Sequence, residues 1–202
     1  MYHGLPDDLH FAGGGRGDYL AFIGRIAEEK RPDRAIEIAT RAGMKLKIAA
    51  KIDAVGREYL HRNIEPLLVN SLVNGLVTSM IVVNKNFSVM PLLWYPIDWP
   101  EPLGLVIIEA LACGTPVIAF RRGAVAELIE DGVTGFIVDD IDQAVAAVAK
   151  VKDLVRRRCR QVFEKRFSVA RRIRDYMQVY SRLIKDQPQS QSASELVAMM
   201  GG

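Results

Sequence analysis

Between Tyr19 and Ala50 the sequence passes through an apolar strand, an amphipathic helix and a second strand in about 30 residues, and that spacing implies a βαβ unit in a parallel sheet. Tyr19-Leu20-Ala21-Phe22-Ile23 is short, apolar and aromatic-rich, and it ends at Gly24, as a buried strand does. Pro32 and Asp33 open a helical pattern whose apolar positions are Ala35, Ile36, Ile38 and Ala39, with Gly43 as its stop. Leu46 to Ala50 is the next strand. The second half repeats the scheme: a helix over Val106–Cys113, a strand over Pro116–Phe120, a short helix over Val125–Glu130, a strand over Gly135–Val138 and an Ala/Val-rich helix over Asp142–Val151. From Asp153 to about Lys185 the pattern is helical and strongly basic. The expected class is α/β with a parallel sheet.

Composition narrows the functional classes. The chain has 202 residues, half of them hydrophobic and a quarter charged, which suits one buried core. A net charge of +3 suits an anionic ligand without arguing for nucleic acid. Two distant cysteines, Cys113 and Cys159, and three scattered histidines have no metal-ligand spacing, and they fit a reducing, cytoplasmic compartment. The first residues lack the basic-then-apolar pattern of a signal peptide. The uncharged run Leu67–Asn84 is too interrupted by Asn, Ser and Thr for a spanning helix.

Two local signals carry chemistry. Gly24-Arg25-Ile26-Ala27-Glu28-Glu29-Lys30 follows the first strand, where a doubly wound sheet places its ligands. Arg25 and Lys30 there can neutralise a diphosphate, although a turn with solvated charges reads the same way. Pro100-Glu101-Pro102-Leu103-Gly104-Leu105-Val106-Ile107-Ile108-Glu109 is more specific. Pro102 and Gly104 shape a tight loop, and a helix begins just after Gly104. The free amides of that first turn and the helix dipole make an anion site. Glu109, about one turn in, can reach ribose hydroxyls or simply complement the dipole, and Glu101 can face a sugar.

Here the sequence resembles a family. Glu101 and Glu109 have the spacing of the E-x(7)-E motif of family 4 retaining glycosyltransferases. Glu109-Ala-Leu-Ala-Cys-Gly-Thr-Pro-Val-Ile-Ala119, the stretches Gly123–Ile129 and Asp131–Phe136, and Gly24-Arg25 with Lys30 are similar to it too. The resemblance implies a Rossmann-like doubly wound parallel sheet, one half of a GT-B architecture. It implies that the donor, a UDP- or GDP-sugar, is held by Gly24, Arg25, Lys30, Glu101, Gly104, Leu105, Val106 and Glu109. Arg25 and Lys30 would stabilise the leaving diphosphate, Gly104 to Val106 would cap the distal phosphate, Glu101 would bond the transferred sugar, and Glu109 the ribose. The family retains anomeric configuration and needs no metal or other cofactor, because cations and a helix terminus supply the positive charge. It usually has Phe where this chain has Leu103.

Residues 1–18 then read as a hinge-like segment containing His3-Gly4-Leu5-Pro6, 19–152 as the donor-binding domain, 153–186 as C-terminal helices and 187–202 as a disordered tail. The resemblance places the acceptor site in an N-terminal domain before the hinge, so this chain is expected to be incomplete for transfer without a separate acceptor domain. A non-catalytic nucleotide-binding remnant and one subunit of a split enzyme are the rival readings. Arg156-Arg157-Arg158 and Arg171-Arg172 read as solvated charge, with peripheral docking to the inner membrane face as the alternative. The stripe containing Phe167, Tyr176 and Tyr180 is expected to be left uncovered.

Residues 69–91 depart from the family, which has a strand, an acidic turn and a helix there. One reading is an out-of-frame translation. Read two nucleotides later, the codon spanning Met90 and Pro91 is GCC, alanine, and the preceding codons can encode Phe-Leu-Gly-Asn. Resequencing the gene tests this, since an uninterrupted frame without those codons ends the idea. The other reading is a divergent segment with Met80 to Val83 as a buried strand.

Overall fold

A computed structural model describes residues 2–15, 18–69, 73–77 and 90–186. Six strands form one sheet: β1 (Tyr19–Arg25), β2 (Lys45–Lys51), β3 (Val73–Val77), β4 (Leu92–Tyr95), β5 (Val117–Phe120) and β6 (Gly135–Val138). Their order is β3-β2-β1-β4-β5-β6, and every neighbouring pair is parallel. This is the expected doubly wound, Rossmann-like α/β sheet. The helices are α1 (Pro32–Arg41), α2 (Gly56–Tyr59), α3 (Leu105–Ala112), α4 (Val125–Leu128), α5 (Ile141–Lys150), α6 (Arg156–Arg166) and α7 (Val169–Asp186). The path after α2 continues as a π turn over Leu60–Ile64 and a 3-10 turn over Glu65–Leu67, a helical stretch the sequence pattern had not indicated.

Period-two alternation sends successive side chains to opposite faces, so the central strands serve two cores. Leu20 and Phe22 of β1, with Trp94 and Ile118, face α1 and α5; Tyr19, Ala21 and Ile23, with Leu93 and Val117, face α3 and α6. Each fully buried Leu, Ile or Phe contributes about 1.5–3 kcal/mol. Cys113 and Cys159 are buried as small fillers of the second core, and burial pushes their thiols up to about 12 and about 11.

The basic helical region breaks into two helices at Phe167 and Ser168. The cause is the N-terminal segment. Leu5 donates its N–H to the Phe167 carbonyl at 2.9 Å and accepts the Val169 N–H at 3.0 Å, while the Ser168 hydroxyl accepts from the Arg171 amide at 3.3 Å. Phe167 is thereby fully buried, which corrects the expectation that it lies uncovered; Tyr176 and Tyr180 are exposed as expected. Arg156 and Arg160 reach back to carbonyls of the same segment, at Gly13 (3.2 Å) and His10 (2.8 Å).

No helix among the described residues is long and apolar enough to cross a membrane. The strand expected at Met80 to Val83, most of the Leu67–Asn84 run and the tail 187–202 lie outside the described residues, whereas β3 falls within the divergent segment as the sheet's edge strand.

Candidate functional site

The chain leaves β1 toward β2 and leaves β4 toward β5, so the carboxyl ends of these two adjacent strands form the switch point of the sheet. The loop after β1 closes into a 3-10 turn over Glu28–Lys30, and the loop after β4 runs from Pro96 to Gly104. The two are tied together. The Asp98 amide donates to the Glu29 carbonyl at 3.0 Å, and Lys30 Nζ lies 2.5 Å from Glu101 Oε2. The Lys30 and Glu101 side chains keep 16% and 23% of their exposure, so the pair sits half-sheltered in the crevice, where charge pairing is stronger than on an open surface.

The collar predicted around Glu101 is held from a third strand end. Ala124, after β5, donates its amide to the Glu101 carbonyl at 2.9 Å. Gly123 has φ +50, and a Cβ there would stand 2.4 Å from the Glu101 carbonyl oxygen and 2.5 Å from its nitrogen. Only glycine lets the two backbones come this close. At the other end of the collar Gly104 is left-handed (φ 55, ψ 42) and forms the N-cap of α3. No side chain caps that helix, and among the described residues the Leu105 and Val106 amides have no hydrogen-bond acceptor. Two amide donors and the positive end of the dipole thus face the loop, an arrangement that attracts an anion.

Glu109 is the fifth residue of α3, partly buried and without an ion-pair or hydrogen-bond partner among the described residues; burial raises its carboxyl above the ordinary range. A desolvated carboxylate without donors is unfavourable until donors arrive. Tyr95, at the end of β4, has its hydroxyl pushed up by burial, with the Glu101 charge adding to the effect.

Arg25 lies on the other flank. It pairs with Glu29 at 3.0 Å and Asp53 at 3.8 Å, and 54% of its side chain is exposed, beside a cavity of about 500 Å³ that Tyr59 and Arg62 also line. The described contacts therefore join Lys30 to Glu101 directly, while Arg25 is held by a separate set of acids. Gly24 is the next-to-last residue of β1, just before Arg25. A larger cavity, about 710 Å³, opens at the amino ends of the strands beside Asp18, Met44, Pro91 and Pro116, opposite this site. Among the described residues no cluster of three or more His, Cys, Asp or Glu side chains is arranged to hold a metal.

Sequence reasoning missed a second network. Arg34 (3.0 Å), Arg122 (3.2 Å) and Arg31 (3.7 Å) converge on Asp98. Burial would raise the Asp98 carboxyl, but the arginines outweigh it and hold it below the ordinary range. Arg31 also grips Asp33, which accepts a 2.6 Å hydrogen bond from the Tyr59 hydroxyl. These residues sit on four separate segments, with no local spacing to mark them. Gly123 carried a signal, because a glycine just after a predicted strand can mark close backbone approach.

Comparison with known proteins gives consistent results. The profile of the family described as Glycosyl transferases group 1 matches residues 13–174. The D-inositol 3-phosphate glycosyltransferase of Kribbella flavida is 32% identical over 149 residues, covering 64% of this chain and 35% of that protein. Its counterpart from Thermomonospora curvata is 30% identical over 169 residues, covering 77% and 37%. Among solved structures, Anabaena HepE in complex with UDP superimposes with a TM-score of 0.78 at 20% identity, over 90% of this chain and 57% of that one. The C-terminal domain of a group 1 family protein, LpcC, from Francisella tularensis is covered completely, along 82% of this chain, with a TM-score of 0.67 at 16% identity. At these identities the structures establish the shared fold. The chain spans about a third of the length of the curated relatives it matches. On the family profile, which takes in the sheet, the Lys30–Glu101 crevice and α3, the chain belongs to the glycosyl transferases group 1 family.

Proposed function

We propose that this chain is the donor-binding half of a family 4 retaining glycosyltransferase of GT-B architecture, and that it holds the diphosphate of a UDP-sugar at the carboxyl ends of β1 and β4. The observation that carries the reading is the pairing of Lys30 with Glu101 beside the uncapped start of α3. A pyrophosphate entering the crevice takes the Leu105 and Val106 amides on one side and Lys30 on the other, and Glu101, released from Lys30, accepts a hydroxyl of the transferred sugar. Arg25 joins by turning away from Glu29 and Asp53. It is half-exposed, and such pairs hold a side chain by about 0–1 kcal/mol, so the turn is cheap. When the sugar C1–O bond breaks, its electron pair leaves on the phosphate oxygen, where the two cations and the helix terminus neutralise it without a metal. Glu109 accepts from the ribose hydroxyls, which supplies the donors it lacks.

UDP is favoured over GDP because HepE, which shares the fold, was solved with UDP. The acceptor site is assigned to the part of the relatives beyond the matched span. Calorimetric titration of the chain with UDP and with GDP tests the reading. Saturable UDP binding that falls at least tenfold in K30A is expected when a charge-assisted bond to phosphate is removed. A folded chain that binds neither nucleotide refutes it.

A further inference from the structure

Arg31 is the one non-glycine residue with positive φ among the described residues (φ 50, ψ 50). It ends the 3-10 turn that carries Lys30 and is the N-cap of α1, yet its side chain makes no capping bond to either element. L-residues avoid this conformation because Cβ crowds the backbone. A residue held there is compensated by its surroundings, and such positions cluster at functional sites.

The compensation can be named. Arg31 Nε contacts both Asp33 carboxylate oxygens, at 3.0 and 3.1 Å, and one terminal nitrogen reaches Oδ2 at 2.7 Å. The Tyr59 hydroxyl donates to Asp33 Oδ1 at 2.6 Å, which fixes the carboxylate from α2. Burial would raise the Asp33 carboxyl, but the hydrogen bonds from Arg31 and Tyr59 hold it below the ordinary range. The other terminal nitrogen of Arg31 lies 3.7 Å from Asp98, on the loop that carries Glu101. The Arg31 backbone completes the bend: its amide donates to the Glu28 carbonyl at 3.2 Å, and its carbonyl accepts from Arg34 at 3.1 Å. The Arg31 side chain therefore ties the residue after Lys30 to α1 and to the β4 loop, and Asp33 extends the tie to α2 through Tyr59.

We infer that Arg31 is a positioning residue: clamped by Asp33 and Tyr59, it holds the left-handed bend that aims Lys30 into the crevice facing Glu101 and the start of α3. The inference rests on the reading of Lys30 as a diphosphate ligand. A bidentate guanidinium is required, because a Lys point charge cannot reproduce the planar fork. Glycine at 31 would suit the backbone while releasing the bend, so the side chain's contribution is separable from the backbone's.

The test is the affinity for UDP and for UMP, by calorimetry, in the wild-type chain, R31G, D33N and the double variant, with melting temperatures in parallel. UDP affinity should fall about tenfold in R31G and in D33N, in keeping with the cost of small misplacements at a charged site. UMP affinity should change less than threefold, since Lys30 serves the second phosphate, which UMP does not have. The double variant should be no weaker than either single one, because both cut the same link. Should R31G fail to fold, D33N, which leaves the bend's backbone unchanged, carries the same comparison. UDP affinity unaltered in folded R31G and D33N overturns the positioning role while leaving the donor reading intact, as does an equal loss for UDP and UMP. A wild-type chain that binds UDP no better than UMP removes both.

Discussion

Substituting Gly123 by alanine perturbs the site without touching any charged group. The new methyl would meet Glu101 backbone atoms at 2.4 and 2.5 Å, against an ordinary contact distance of about 3.4 Å, so the Glu101 loop must retreat by about 1 Å. The left-handed backbone at 123 costs alanine about 1–2 kcal/mol. Losing the Ala124–Glu101 hydrogen bond adds about 1 kcal/mol, and residual crowding brings the total to about 2–4 kcal/mol. A domain stable by about 5–15 kcal/mol remains folded through this, with its melting temperature lowered by roughly 4–16 °C. The larger effect is geometric. Glu101 moves relative to Lys30 and α3, and a displacement of this size costs up to about 100-fold at a site that depends on placement. The assay is UDP titration alongside thermal melting, with G132A as control. Gly132 has nearly the same strained backbone (φ +71) but open space where its Cβ would go, so it should lose about 1–2 kcal/mol of stability and no affinity. If G123A matches G132A in UDP affinity, the packing of Gly123 against Glu101 does not build the site.

Two further outcomes follow from the buried groups. Because burial raises the Glu109 carboxyl in the folded state, folding is most favoured below the unfolded value of 4.5, and that contribution is lost as pH rises through the higher folded value. E109Q should therefore melt higher than wild type at pH 7, with the gap closing toward pH 4, and should bind UDP roughly tenfold more weakly for want of a charged acceptor; thermal melts across pH and titration read both. Cys113 and Cys159, whose thiols are raised to about 12 and about 11, should resist a water-soluble alkylating reagent at pH 8 in the folded chain and react on denaturation, as mass spectrometry of the modified protein would report.

The fold was legible in the sequence because its information is local. Apolar runs of four or five residues, Pro32 at a helix start and Gly43 at its end each specify an element from neighbouring atoms alone, and strand–helix–strand spacing then leaves little but a parallel sheet. The anion-binding turn was legible for the same reason: Pro102, Gly104 and the helix after them are contiguous. The break at Phe167–Ser168 was not legible, because it depends on Leu5 occupying backbone groups more than 160 positions away.

Chain position alone puts Arg25 and Lys30 at or just beyond the end of the first strand, and Glu101 and Glu109 on either side of a helix start, so the residue types available to the site could be read directly. Which of them meet is a property of the folded chain. Folding joined Lys30 to Glu101, held Arg25 with Glu29 and Asp53, left Glu109 desolvated without a donor, and set Arg31 in a left-handed bend locked by Asp33 and Tyr59. Distance explains the difference. Charge pairing and desolvation act over a few ångströms through space, whereas residues 30 and 101 are separated by three strands of chain path and meet only once the sheet has placed β1 beside β4.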